Sequence, residues 1–146
     1  MLKYIPKYAK KDSKQYHGQL ETGDKNSENS KFFNGTSYIN QLSKNGTDVS
    51  NISFEPGIRN NWHVNHGFGE TLLCTSGFGW YQEEGKEPRF LRSGDVVEIL
   101  PDVKHWEGSM KETWFTYISI KPIAPNSTTE WLEPVSDEIY NNLIPK

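Results

Sequence analysis

The sequence predicts an all-β fold, a sandwich or barrel with one short C-terminal helix. Short runs rich in aromatic and β-branched residues recur at roughly eight- to twelve-residue intervals, and turn-forming glycines punctuate them. The hydrophobic fraction is only 34%, too thin for a helical bundle. Seven Phe, seven Tyr and five Trp compensate by burying large areas each.

In chain order, residues 1–30 read as an arm, mixed basic and aromatic over 2–20 and a solvated loop over 21–30. Residues 31–146 form the domain proper. Strands are expected over 32–42, 49–54, 59–63, 71–75, 79–83, 89–91, 96–100, 105–107 and 114–121. An Asn-Gly turn at 45–46 joins the first two. Residues 121–129 carry two prolines and are expected to be irregular, leading into an aromatic-anchored extension at 130–134. Ser136 is placed to cap a helix over 137–143, with Asp137 and Glu138 at its N-terminal end.

The composition excludes several classes. At 146 residues with a net charge of −3, the chain is one domain without a global basic surface. No helix-turn-helix pattern is visible either, so nucleic acid is not an expected partner. A lone Cys74 cannot form an internal disulfide, which points to a reducing, cytoplasmic setting. No apolar run approaches membrane-spanning length, and the basic first residues lack the apolar stretch of a signal peptide.

The chemistry concentrates in residues 57–79, GIRNNWHVNHGFGETLLCTSGFG, and 94–106, GDVVEILPDVKHW. His63, His66 and His105 supply imidazoles and Glu70 a carboxylate, the donor set of a divalent first-row metal. The first stretch resembles the first cupin motif, G-x5-H-x-H-x3,4-E-x6-G, and the second resembles G-x5-P-x-G-x2-H. Leu100 and Asp102 replace the proline and glycine of the second motif. The first motif departs between its histidines, where His63-Val64-Asn65-His66 is one residue longer than H-x-H. On a strand, residues three apart face opposite ways. Either a bulge near Asn65 absorbs the extra residue and His66 is a ligand, or the register is unbroken and Asn65 takes its place. The preserved spacings on both sides favour the bulge, so the expected ligands are His63, His66, Glu70 and His105. Glu70 has a structural alternative, an ion pair with Arg59. Asp95 is assigned to a turn, Cys74 to the core, and Trp62 and Trp106 to the face away from the ligands.

Four longer strings, FEPG-x-RNNWH, GWYQEEGKEP, GDVVEI-x-P-x-VKHW and TEWLEPVSDEIY, resemble a narrower cupin group over residues 33–140. That group is associated with carboxymuconolactone decarboxylases and includes metal-dependent hydroxynitrile lyases. The resemblance implies a double-stranded β-helix (jelly-roll) barrel and a homodimer. It also implies a metal held by three histidines and a Gln, with Glu70 at the Gln position. Manganese comes first, ahead of iron, zinc and nickel. Two pocket positions depart from the group: Glu107 stands in place of the second His of HWHG, and Tyr117 in place of another His. The expected activity is Lewis-acid chemistry on a small organic molecule, of lyase, decarboxylase, isomerase or oxygenase type. Glu107 or Tyr117 would handle the proton. A non-catalytic small-molecule binding or sensing cupin is the alternative.

Overall fold

The computed structural model describes residues 15–145. Residues 1–14, the basic and aromatic start of the arm and a candidate cover for sheet edges in a dimer, lie outside the described residues. Among the described residues, ten strands make one continuous antiparallel sheet that curls on itself: β1 (Asp24–Lys25), β2 (Ser37–Ser43), β3 (Thr47–Phe54), β4 (His63–His66), β5 (Glu70–Glu83), β6 (Arg89–Arg92), β7 (Val96–Ile99), β8 (Lys104–Ser109), β9 (Phe115–Pro122) and β10 (Thr128–Trp131). The strand order is β1-β2-β3-β9-β5-β8-β4-β10, and β6 and β7 also pair with β5. This is the expected jelly-roll.

Strand β5 is the hinge between the two layers. The separate strands expected over 71–75 and 79–83 are one 14-residue strand. Its first half pairs with β7 and β9, its second with β6 and β8. The change of partner coincides with a register shift between Cys74 and Ser76, followed by Gly77 at φ 71°. A bulge with a left-handed residue turns the strand sharply. Only glycine fits there, because a Cβ on Gly77 would lie 1.8 Å from the Trp114 carbonyl oxygen.

Both termini contribute pairing that periodicity did not indicate. Within the arm, β1 pairs with β2, opposite Tyr38 and Ile39. Residues 30–32 form a 3-10 turn, so the strand expected from 32 begins at Ser37. The strand expected over 59–63 is an irregular approach with isolated bridges from Asn60 to Phe33 and from Arg59 to Gly108. At the far end, the segment expected to be irregular ends in β10, which pairs with β4 through His63 to His66. The reason is physical: without β10, β4 would leave a row of unpaired backbone groups at the sheet edge.

The two faces of the curled sheet differ. Its interior holds Phe54, Leu72, Cys74, Tyr81, Leu91, Val97, Ile99, Phe115 and Tyr117. Outside, Trp62, Trp80 and Trp106 pack with Val135 and Tyr140 beneath helix α1 (Asp137–Asn141). The Ser136 hydroxyl caps α1, accepting from the Ile139 N–H. Arg59 anchors the same segment through the Val135 carbonyl and an ion pair to Asp137, and stacks over Tyr140. It therefore makes no pair with Glu70. Gly77→Ala is expected to lower stability by about 2 kcal/mol or more, combining the left-handed penalty with the clash. Denaturant unfolding measures this, and a near-neutral value would mean that the hinge tolerates a side chain.

Candidate metal centre

Strand alternation decides which side chains reach the interior. On β8, His105, Glu107 and Ser109 share one face, and Lys104 and Trp106 the other. His105 is paired directly with His63 across the sheet, which sets their rings 4.1 Å apart. Strand β4 has no bulge: its register with β10 runs without interruption through His63, Val64, Asn65 and His66. The side chain of Asn65 accordingly enters the cavity, and that of His66 leaves it.

This corrects the expected ligand set. The His66 side chain is 47% exposed, with Nε2 2.7 Å from Glu130 and Nδ1 3.6 Å from Asp102. The extra residue is absorbed in the turn after the strand, where Gly67 adopts φ 79°. Asp102, at the motif's glycine position, itself adopts φ 66°, and its carboxylate accepts from the Gly67 N–H at 3.0 Å. Aspartate tolerates that conformation better than most residues. Asn65 takes the second ligand's position, yet its amide is occupied, donating to Glu70 and accepting from Thr129, both at 3.0 Å. Glu70 lines the cavity, but its other oxygen accepts from Ser119 at 2.5 Å.

The groups that do converge are His63, His105 and Glu107, all buried, with donor atoms within 4.8 Å of one another. The Nε2 of His63 lies 3.5 Å from Glu107 Oε1, and the Nε2 of His105 3.7 Å from Oε2. Tetrahedral ligands with bonds of about 2.1 Å sit about 3.4 Å apart, so small adjustments suffice for an ion. The ring orientations are preset. His63 Nδ1 lies 2.8 Å from the Asn61 carbonyl and His105 Nδ1 2.8 Å from that of Val103. A carbonyl only accepts, so each Nδ1 carries a hydrogen and each Nε2 is turned to Glu107, where the neutral ring presents its lone pair.

Two atoms test whether this donor set fits a cation. His105 Nε2 and Glu107 Oε2 are buried without any hydrogen-bond partner. A neutral imidazole and a carboxylate facing each other are two acceptors, an arrangement that a cation between them would satisfy. The other carboxylate oxygen is held: Asn60 donates to Oε1 at 2.9 Å and accepts from the Glu107 N–H at 2.9 Å. Tyr117 also donates to Oε1, at 3.3 Å.

The protonation states follow. Burial alone would push the Glu107 carboxyl up, but the charge and hydrogen bond of His63, then His105 and Asn60, bring it down to about 2. Burial works against a charged His63, yet the Glu107 carboxylate outweighs it and raises the imidazole above 6.5. For His105, burial and the neighbouring His63 charge lower the value. Tyr117 is held protonated, first by burial and then by the Glu107 and Glu70 charges. Cys74 is inert, its thiol pushed up to about 12 by burial.

Of these groups, His63, Glu107 and Tyr117 line a cavity of about 300 Å3 between the two layers. Trp131 and Phe33 form an aromatic wall, with the Trp131 ring 4.6 Å from that of His63. Asn60, Ser119 and Trp131 were not singled out by the sequence reading. Ser119 carried no signal, and Asn60 only its place in the string FEPG-x-RNNWH. Trp131 had one, its place in the aromatic-anchored extension, but not its position over His63.

A protein described as cupin-like from Thermotoga maritima superposes with a TM-score of 0.78 at 38% identity, covering 86% of this chain and 96% of that one. The chain belongs to the cupin superfamily. It is also 40% identical to an (R)-mandelonitrile lyase of Granulicella tundricola over 91 residues, which is 62% of this cupin and 69% of that protein. A predicted oxalate decarboxylase of Thermotoga maritima shares the fold at a TM-score of 0.63 and 17% identity, over 70% of this chain and 93% of that one. No family model matches the chain.

The electrostatics yield a test in the metal-free protein. Glu107→Gln removes the charge that raises His63, so the imidazole should titrate below 6.5 once burial dominates. The depressed Glu107 value means that its stabilising contribution is present above the ordinary 4.5 and is lost as pH falls towards about 2. NMR titration of the imidazole signals, with acid unfolding of both proteins, reads the two effects. An unchanged His63 value would refute the coupling.

Proposed function

We propose that this cupin is a metal-dependent enzyme of lyase or decarboxylase type acting on a small organic molecule. The observation that carries the reading is the unpartnered pair of buried acceptors, His105 Nε2 and Glu107 Oε2, beside His63 at the cavity wall. In this reading His63, His105 and Glu107 hold one divalent ion and leave positions open towards the cavity. The ion would supply Lewis-acid polarisation of a substrate oxygen. Two imidazoles and a carboxylate suit iron and zinc as well as manganese, and imidazole also suits nickel.

The chain's own residues then have distinct tasks. A carboxylate that stays ionised down to about pH 2 is a poor proton carrier near neutrality, so Glu107 serves as ligand rather than base. Tyr117 keeps its proton and offers a hydrogen bond to charge developing on the substrate. Asn60 holds Glu107 in place, and Trp131 and Phe33 provide an apolar wall that excludes water. The mandelonitrile lyase relative supports carbon–carbon cleavage as the first chemistry to assay. The partner is thus a small molecule. A cytoplasmic location agrees with the buried, unpaired Cys74, and among the described residues no helix is long and apolar enough to cross a membrane.

Elemental analysis of the purified protein is expected to find about one divalent ion per chain. His105→Ala and Glu107→Ala should cost more affinity than the about 10–100-fold typical of outer-shell changes. His66→Ala should cost nothing, and any turnover of mandelonitrile should follow metal content. Retention of the ion by Glu107→Ala would sink the triad. Asn65 in a ligand's place favours the second reading, a binding or sensing cupin. Tight metal-dependent ligand binding without turnover would establish it.

A homodimer is also proposed. Leu73 and Val96 lie opposite each other on the outer face of β5 and β7, 36% and 47% exposed, a patch that a second copy would cover. Sedimentation of the full chain should give a dimer, and Leu73→Lys with Val96→Lys a monomer. A wild-type monomer at high micromolar concentration would overturn this.

A further inference from the structure

The cavity has two polar ends, and the triad accounts for only one. On β9 the side chains of Tyr117, Ser119 and Lys121 alternate to the same interior face. Tyr117 reaches Glu107 and Ser119 reaches Glu70. Lys121, half-buried at the cavity mouth, forms no ion pair and no side-chain hydrogen bond among the described residues. The amides of Asn26 and Asn29 line the same mouth and are likewise unengaged among the described residues. The charged side chains lining the cavity are Lys121, Glu70 and Glu107 together with His63. Asp48 is the direct cross-strand neighbour of Lys121 on β3, yet its Oδ1 accepts from Ser50 and Gln41 and no ion pair joins the two. A divalent ion on the triad would offset the two cavity carboxylates and leave the Lys121 ammonium able to take an anion from the cavity side.

We infer that Lys121 is the anion-recognising residue of this pocket, so that the substrate is a small carboxylic acid whose carboxylate meets Lys121, with Asn26 and Asn29 beside it. This rests on the metal reading above. The spacing says more about the substrate. Lys121 and Tyr117 are four residues apart, ~13 Å of strand between their backbones, so a Lys121 side chain standing perpendicular to the sheet holds the acid group away from the reacting oxygen. The chain between them lies along Ile39, Ile52, Phe33 and Trp131, an apolar or aromatic linker by complementarity. A phosphate is the poorer fit. Phosphate sites gather a guanidinium fork or several backbone N–H groups, whereas the lining here includes no arginine. The single ammonium is a point charge matched to one carboxylate.

Calorimetry on the metal-loaded protein tests this with phenylbutyrate, its neutral counterpart phenylbutanol, and inorganic phosphate. Phenylbutyrate should bind about five- to tenfold tighter than phenylbutanol, the worth of one partly desolvated charge-assisted hydrogen bond. The advantage should shrink with added salt. Lys121→Gln should reduce it to less than about twofold, and Lys121→Arg should keep it. Metal affinity, measured separately by titration, should be the same in Lys121→Gln as in the wild type. Equal binding of acid and alcohol, or no binding of the acid, overturns the proposal. So does acid binding that survives Lys121→Gln, since the carboxylate would then sit on the ion. Tighter phosphate than carboxylate binding overturns the substrate class. Loss of metal binding in the wild type would instead refute the triad, a separate result read in the separate titration.

Discussion

Direct pairing of His63 with His105 across two neighbouring strands is the constraint on which this molecule's chemistry depends. Once those residues face each other, the two-residue strand period assigns every other position. Glu107 falls inside beside His105, Asn65 inside beside His63, and Trp106 outside. The outward set is as consequential as the inward one. Trp62, Trp80 and Trp106 pack under α1, so the strands that carry the ligands are stiffened from behind by the most voluminous residues available. The Trp106 indole is tied to Gln82 on β5 at 2.9 Å. A mobile ligand strand would blur donor positions that metal binding requires to within a few tenths of an ångström.

Much of this was legible in the sequence because strand rhythm and turn glycines are local signals. Gly57, Gly77 and Gly94 stand at positive φ where the motifs place glycines. His63 and His105 were readable from spacing. The third member of the candidate donor set was not, for a reason that lies in the geometry of insertions. An extra residue between two preserved spacings can be absorbed inside the strand or just beyond it, and both leave the spacing to Glu70 unchanged. Here the pairing of β10 with β4 keeps the strand regular, and the turn at Gly67 takes up the difference. That pairing joins residues some sixty positions apart, which no local pattern reveals. Asn60 and Ser119 were hidden for the same reason, since each acquires its role from a partner on another strand.

A carboxylate buried among imidazoles is costly unless each of its lone pairs is answered. Asn60 answers part of that demand by donating from its amide nitrogen to Oε1, and its amide oxygen accepts from the Glu107 backbone N–H. The chain therefore holds Glu107 by side chain and main chain together, and the other oxygen is left turned towards His105. Across the cavity, Glu70 is satisfied by Asn65 and Ser119. Two carboxylates share one cavity, and only one retains an unanswered oxygen.

The tethering of both imidazoles to carbonyls two residues upstream has a consequence for how such a pocket changes over time. Asn61 and Val103 hold the rings through main-chain atoms, which are present whatever side chains surround them. The tautomer of each histidine is thus written into its own strand. The opposite wall, on β2, β3 and β9, contributes nothing to it. That wall can exchange Ile39, Ile52, Ser119 or Lys121 and alter what the cavity accepts, while the lone pairs of His63 and His105 stay where they are. Fixed donors on one layer and an adjustable wall on the other make the pocket divisible, so that what the cavity admits can be revised while the donor set stays as it is.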